Sequence, residues 1–131
     1  MAAAARAVQG VIDLDSPASA VIDTEHLSRM TLGERSLERE ALALFDRQAD
    51  MLLPCIRGGA PGMAAASAHT LKGSAVGIGA FKVVRAAEAV EQARGSARDL
   101  AGDTAIAAAI ETLAAVLDEA KSEIARLLQA G

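Results

Sequence analysis

The feature that most constrains the fold is a run of regularly spaced apolar residues near the C-terminus. Isoleucine, leucine and alanine recur there at alternating intervals of four and three residues, at positions Ile106, Ile110, Leu113, Leu117, Ala120, Ile124 and Leu127. This spacing places their side chains on one face of an α-helix. Helices of antiparallel bundles pack through such faces. The pattern therefore predicts a long C-terminal helix that packs against other helices.

The composition also favours helices over strands. Of the 131 residues, 52% are hydrophobic and only 2% are aromatic. Many of the apolar residues are alanine, the best helix former, and the residues that strands prefer are few. The length indicates one domain. We therefore predict an all-α protein: an up-and-down antiparallel four-helix bundle over residues 21–131 with a short extra N-terminal helix, preceded by a flexible tail over residues 1–20.

Apolar spacing and breaker residues predict helices over residues 24–31, 34–56, 63–76 and 80–94, ahead of the C-terminal one. We expect Asp23 to cap the first helix and Pro54 to kink or stop the second. The glycine-rich segment 57–62 is predicted to be a loop. The predicted core faces of the second to fourth helices are Leu42, Phe45, Ala49, Leu52 and Ile56; Ala64, Ala68, Leu71, Ala75 and Ile78; and Val83, Ala87 and Val90, flanked by Val84. Short connections favour antiparallel neighbours.

The charge and the cysteine content argue against several classes of protein. The formal net charge is −4 and no basic stripe is visible, which is unlike a nucleic-acid binder. No apolar run reaches the roughly 20 residues of a membrane-spanning helix. The single cysteine, Cys55, is predicted to be a buried thiol, and its isolation suits a reducing compartment. We therefore expect a cytoplasmic protein that binds neither nucleic acid nor membrane. A monomer is the default expectation, because the apolar face of the C-terminal helix also fits packing within one chain.

The sequence also gives no indication of a metal site. Its two histidines and one cysteine lie far apart and do not match the spacing of zinc ligands. His26 has no constellation of acid, lysine and glycine around it, and we interpret it as a structural or solvated residue. The chain is therefore expected to bind no metal and no cofactor of its own.

His69, by contrast, stands in a distinctive setting on the third predicted helix. It lies about 200° around the helix axis from the core-facing leucine of the same turn, so it should face solvent. Lys72 and Gly73 follow three and four residues later and share that outer face. Ala65 and Ala66 flank the histidine on the preceding turn. The pattern predicts an exposed imidazole beside a cation and among small residues.

This combination of residues suits phosphoryl transfer. An exposed imidazole is largely neutral near pH 7 and is a good nucleophile, and its phosphoramidate is labile enough to be passed on. The phosphate would add about two negative charges, which Lys72 could pair with. Gly73 costs its helix about 1 kcal/mol relative to alanine, so its presence needs a reason. A missing side chain beside His69 would let another protein's active site close over the ring.

The segment around these residues resembles a known family signature. The string His69-Thr70-Leu71-Lys72-Gly73-Ser74-Ala75, followed by Gly77-Ile78-Gly79-Ala80, is similar to that of histidine-containing phosphotransfer (HPt) domains. Their pattern is His-x-Leu-Lys-Gly-Ser, then a glycine-bearing helix break, then an amphipathic helix with a glutamate, which Glu88 matches. The resemblance covers roughly residues 21–128 and implies a helical phosphocarrier.

The resemblance also implies roles for individual residues. His69 would take a phosphoryl group from a receiver-domain aspartate or give it to one. Lys72 would steady the phosphate and Gly73 would make room for the receiver. The family often places a polar side chain, commonly glutamine, against the histidine ring, and here that position holds Glu91. The remaining residues expected at the receiver contact are Ala65, Ala66 and Val76.

The implied partners are response-regulator receiver domains and a hybrid sensor histidine kinase. The receiver would bring the acidic pocket and its Mg²⁺, so the chain is expected to be a phosphocarrier in a two-component phosphorelay rather than an enzyme. Two other interpretations stay open. One is an adaptor that binds a receiver or kinase without being phosphorylated, which would have no need of His69. The other is a receiver phosphatase, in which Glu91 would orient a water.

Overall fold

A computed structural model describes residues 20–96 and 100–130 of the chain. Five α-helices occupy most of these residues: α1 (Thr24–Met30), α2 (Arg35–Gly58), α3 (Pro61–Ile78), α4 (Phe81–Ser96) and α5 (Leu100–Ala130). The described residues contain no β-strand, which confirms the all-α prediction. Apart from Ala20, the predicted tail lies outside the described residues.

The core lies among the four long helices. Helix α2 packs against α3, α3 against α4, α4 against α5, and α5 against α2, while the short α1 packs against α3. The predicted core faces are confirmed, because almost all of their members are buried; Leu52, Val84, Ile106 and Leu127 are partly buried at the edge of the core. The largest fully buried side chains are Phe45, Ile56, Leu71, Leu113, Leu117, Ile124, Val83 and Val90. This burial fixes how each helix is rotated about its axis.

Helix α1 begins as predicted. The Asp23 carboxylate accepts a hydrogen bond from the backbone N–H of His26 at 3.0 Å, which satisfies one of the free amides of the first turn. The helix ends at Met30, and the chain then turns through Leu32 and Gly33, which both have a positive φ. The predicted boundaries of α1 are therefore correct to within one residue.

The predicted break between α2 and α3 is largely wrong. Pro54 does not stop α2, which continues to Gly58, and the predicted loop 57–62 shrinks to Gly59 and Ala60. Burial of Ile56 in the core anchors the turn that follows the proline. Pro61 occupies the first turn of α3, where its fixed φ suits a helix and its missing N–H costs no hydrogen bond. Helix α3 therefore begins two residues earlier than predicted.

Helix α3 ends in a glycine cap two residues later than predicted. Gly79 adopts the left-handed conformation at φ +77°, and its N–H donates to the carbonyl of Val76 while that of Ala80 donates to Ala75. A Cβ at Gly79 would lie 2.7 Å from the carbonyl oxygen of Asp23, whose own N–H donates to the Gly79 carbonyl. Gly79 is thus required both by its backbone conformation and by the close approach of the segment before α1.

The predicted burial of Cys55 and the predicted end of α4 both differ from the structure. Cys55 is half-buried rather than buried, because its neighbour Ile56 takes the core position and leaves the thiol beside it, donating to the Met51 carbonyl. Helix α4 extends two residues beyond its predicted end. None of the described helices is both long and apolar enough to cross a membrane.

Candidate functional site

His69 lies near the middle of α3 with its side chain in solvent. Its neighbours Ala68 and Leu71 are fully buried, and their burial turns the histidine to the opposite face of the helix. The imidazole is 71% exposed. The outward orientation inferred from the helical period agrees with this placement.

Helix α4 brings a carboxylate against the histidine ring. Val90 is fully buried, and this rotation of α4 directs the adjacent Glu91 toward α3. Its Oε2 lies 3.1 Å from Nδ1 of His69. A carboxylate only accepts hydrogen bonds, so Nδ1 carries the proton and, in the neutral ring, Nε2 holds the lone pair. Within the described residues, Nε2 has no hydrogen-bond partner, so no described group engages its lone pair.

Lys72 lies beside the histidine but is already close to two carboxylates. Its ammonium is 3.2 Å from Oε1 of Glu91 and 3.9 Å from Oε2 of Glu88. Lys72 and Glu91 are each only about a quarter exposed. The approach to Oε1 lacks the geometry of a hydrogen bond, because this buried oxygen accepts none within the described part of the chain. The cation is therefore held by charge rather than by a directed bond.

The surface around His69 is built from small residues. A Cβ added at Gly73 or at Gly77 would meet nothing within 4 Å. Ala66 and Val76 are exposed and Ala65 is half-buried. The glycine at position 73 is thus not required by packing within the described chain, unlike the glycine that caps α3.

An apolar groove adjoins this face on the side of α2, and sequence reasoning did not identify it. It has a volume of about 350 Å³, and its lining includes Met30 from α1, Leu37 and Leu44 from α2, and Ser74 and Gly77 from α3. Leu37 and Leu44 are 45% and 48% exposed although both are large and apolar. Their seven-residue spacing, off the core face of α2, is the signal that could have indicated the groove.

His26 is a structural residue and takes no part in this site. Its Nε2 lies 2.8 Å from the carbonyl oxygen of Val76, so Nε2 carries the proton and donates to a carbonyl near the end of α3. Its ring also meets Phe81 edge-on, with centroids 5.1 Å apart. His26 therefore ties α1 to the α3–α4 junction.

The candidate site thus brings together His69, Lys72, Gly73, Glu88 and Glu91, with small residues around them. Among residues 20–96 and 100–130, no group of three His, Cys, Asp or Glu side chains is arranged to hold a metal ion. No protein-family model, no curated protein and no solved structure matches the chain.

Proposed function

We propose that this chain is a histidine-containing phosphotransfer protein, which carries a phosphoryl group on His69 between receiver domains. The observation that carries the proposal is the state of the imidazole: it is exposed, its Nδ1 is held by Glu91, and its Nε2 has no partner in the described part of the chain. An orienting carboxylate and a nearby cation are what a phosphoryl-accepting imidazole needs from its own protein.

The chemistry of the acceptance step follows from this arrangement. The Nε2 lone pair attacks the phosphorus of an aspartyl phosphate on the receiver, and the P–O bond to the carboxylate breaks with its electron pair left on oxygen. The positive charge that develops on the ring is stabilised by the Glu91 carboxylate, 3.1 Å from Nδ1. Delivery to a second receiver is the reverse sequence. The chain is thus a substrate of its partners rather than an enzyme.

The partner would supply the metal ion and the acidic pocket. In-line phosphoryl transfer requires charge neutralisation and positioning, which the receiver's acidic pocket and Mg²⁺ would provide. Lys72 would then leave its carboxylates for a phosphoryl group carrying about two negative charges. The proposed partners are receiver domains and a hybrid sensor histidine kinase of a cytoplasmic two-component phosphorelay, with this chain as a monomer.

The shape of the surface supports a protein partner. The open space over Gly73 and Gly77 gives another molecule access to the ring without a clash of side chains. The apolar groove beside it exposes Leu37 and Leu44, and large apolar side chains on a surface mark interaction sites. A docked receiver would cover both features at once.

We also propose that the helices form an up-and-down antiparallel four-helix bundle. In the contacts that support this arrangement, residue numbers rise along one helix as they fall along its neighbour, which is the order of an antiparallel pair. The pairs are Lys72–Glu88 and His69–Glu91 between α3 and α4, and Arg57–Glu111 and Asp46–Lys121 between α2 and α5. The bundle would present His69 midway along one exposed helix face.

Phosphoryl transfer tests the proposal directly. The full chain is incubated with a radiolabelled phospho-receiver and Mg²⁺, alongside the variants His69→Gln and His26→Gln. We expect acid-labile, base-stable label on the wild type and on His26→Gln, and none on His69→Gln. His26→Gln is the matched control because it removes the other histidine of the chain.

Other results would favour the alternatives. A receiver that binds but transfers no label, across several candidate receivers, would support the adaptor. Loss of the receiver's phosphate to water, undiminished in His69→Gln and abolished in Glu91→Gln, would support a phosphatase. Label that persists on His69→Gln would place the acceptor elsewhere and contradict the proposal.

A further inference from the structure

The charges around His69 are unequal in number. Within the described residues, Lys72 is the only lysine or arginine within 4.0 Å of the Glu91 and Glu88 carboxylates. Glu91 uses one oxygen for the ammonium and the other for the imidazole. Two carboxylates therefore share one cation before any phosphoryl group arrives.

We propose that Glu91 shortens the lifetime of the phosphoryl group on His69, because its carboxylate competes for Lys72 and holds the ring proton on Nδ1. The inference rests on the proposed function and concerns how long the carrier stays loaded. A neutral amide of the same shape at position 91 would compete less strongly for Lys72 and would hold the Nδ1 proton less strongly. The site is thus suited to rapid turnover rather than to storage of the phosphoryl group.

Competition for Lys72 is the first of the two effects. Phosphorylation of Nε2 adds about two negative charges beside the existing carboxylates. Lys72, three residues along the same helix, is the cation placed to meet them. Each contact that it makes with the phosphoryl group weakens its contact with Glu91, whose Oε1 is buried and accepts no hydrogen bond in the described part of the chain. The loaded state therefore adds about two negative charges to a site that already has one more carboxylate than cations.

The ring proton is the second effect. When the Nε2–P bond breaks, its electron pair returns to Nε2. A ring that keeps the proton on Nδ1 leaves as neutral imidazole, whereas a ring without it would leave as an anion, which is a poorer leaving group. In hydrolysis, a water oxygen bonds to phosphorus and both water hydrogens end on the inorganic phosphate. The Glu91 carboxylate holds the Nδ1 proton in a charge-assisted hydrogen bond, which is roughly twice as strong as a neutral one.

The decay of the loaded protein tests this inference without a receiver. The full chain is loaded with potassium phosphoramidate, a small phosphoryl donor, the donor is removed by gel filtration, and loss of phosphohistidine is followed by ³¹P NMR near neutral pH. The variants are Glu91→Gln, Glu88→Gln and Asp50→Asn. Asp50 is the matched control, because its carboxylate lies 2.9 Å from a lysine, Lys121, at the α2–α5 contact.

The expected effects differ in size. Glu91→Gln should lengthen the half-life about three- to tenfold, because it weakens both effects at once. Glu88→Gln touches only Lys72, from 3.9 Å, and should lengthen the half-life less than about twofold. Asp50→Asn should leave the half-life unchanged.

Three results would overturn the inference. A Glu91→Gln half-life equal to that of the wild type would do so and leave the proposed function standing, provided that the label is absent from His69→Gln. Equal lengthening in Asp50→Asn would trace the effect to the net charge of the chain rather than to Glu91. A wild-type protein that takes up no phosphoryl group from phosphoramidate or from phospho-receivers would overturn both the inference and the proposed function.

Discussion

Two lysines in this molecule each lie between two carboxylates of a neighbouring helix, but only one of them borders an exposed histidine. Lys72 of α3 lies 3.2 and 3.9 Å from two glutamate carboxylates of α4. Lys121 of α5 lies 2.6 Å from Asp46 and 2.9 Å from Asp50, both on α2. The two lysine side chains are also nearly equally exposed, at 26% and 27%. The arrangement of charge alone therefore does not mark a functional site.

The difference lies in how firmly each lysine is held and in the residue next to it along the chain. Lys121 donates hydrogen bonds to the carboxylate and to the backbone carbonyl of Asp46. Lys72 makes ion-pair contacts without a directed hydrogen bond to Glu91. The residue after Lys72 is the bare Gly73, whereas the residue after Lys121 is the exposed Ser122. A lysine that can exchange partners, next to open space, suits transient binding of a phosphoryl group, and a lysine tied to its own chain suits stability.

The largest expected effect comes from a side chain added beside each lysine. Gly73→Leu fills the open space over α3 and should slow phosphoryl transfer from a receiver by about ten- to a hundredfold, because it displaces the two reacting groups. Its folding stability should rise by up to about 1 kcal/mol, since leucine is a better helix former than glycine. Phosphoryl-transfer time courses and urea unfolding measure the two effects.

Ser122→Leu is the control for that change, because it places the same side chain next to Lys121. We expect unchanged transfer in this variant. If Ser122→Leu slowed transfer as much as Gly73→Leu, the two regions would not differ in function, and the open space over α3 would lose its significance.

Removal of each lysine in turn should change the phosphoryl-transfer rate less than Gly73→Leu does. It should again distinguish the region around Lys72 from the region around Lys121. Lys72→Ala should slow phosphoryl transfer about tenfold, because it removes the charge-assisted contact that we propose Lys72 makes with the phosphoryl group. Its unfolding free energy should fall by less than about 1 kcal/mol, as is usual for partly exposed ion pairs. Lys121→Ala should leave the transfer rate unchanged. The opposite result, with transfer impaired only in Lys121→Ala, would contradict the assignment of the site to α3 and α4.

The sequence was sufficient to predict where the helices lie but not where α2 ends and α3 begins. The alternating spacing of residues such as Ile110 and Leu113 identifies a helix because burial repeats with the helical period. The continuation of α2 through Pro54 was not predictable in the same way, because it depends on the burial of Ile56 between helices. Helix-breaking residues such as Pro54 and Pro61 make a helix end locally more favourable. Packing against residues from elsewhere in the chain determines where the helix actually ends.

The candidate site also has a part that the sequence predicts and a part that it does not. His69, Lys72 and Gly73 lie within two turns of one helix, so spacing alone predicts that they share a face. The contact of Glu91 with both His69 and Lys72 depends on the rotation of α4, which the buried Val90 sets. The apolar groove joins three helices; the spacing of Leu37 and Leu44 marks its α2 side but not which helices close it. Contacts across helices are thus the part of a site that one sequence leaves undetermined.

The smallest expected effect concerns the pH dependence of the Lys121 region. Burial alone would lower the pKa of the Lys121 ammonium, but hydrogen bonds and charges from Asp46 and Asp50 outweigh it and raise the pKa above its ordinary value. A raised pKa in the folded state means that this stabilisation is complete below the unfolded value of about 10.4 and is lost as the pH rises through the folded value.

The variant Lys121→Met keeps the apolar stem of the side chain and removes the charge. Its unfolding free energy should therefore be lower than that of the wild type by about 0.2–1 kcal/mol at neutral pH, the range of a partly exposed ion pair. The difference should stay constant to about pH 9 and shrink as the pH rises from the ordinary lysine pKa of about 10.4 through the raised pKa of folded Lys121. In this range the unfolded chain loses the lysine proton before the folded protein does. Urea unfolding of both proteins across this pH range measures it. A difference that persisted undiminished at the highest pH would show that Lys121 stabilises the α2–α5 contact by packing, and the two lysines would then differ in the kind of contact they make and not only in its strength.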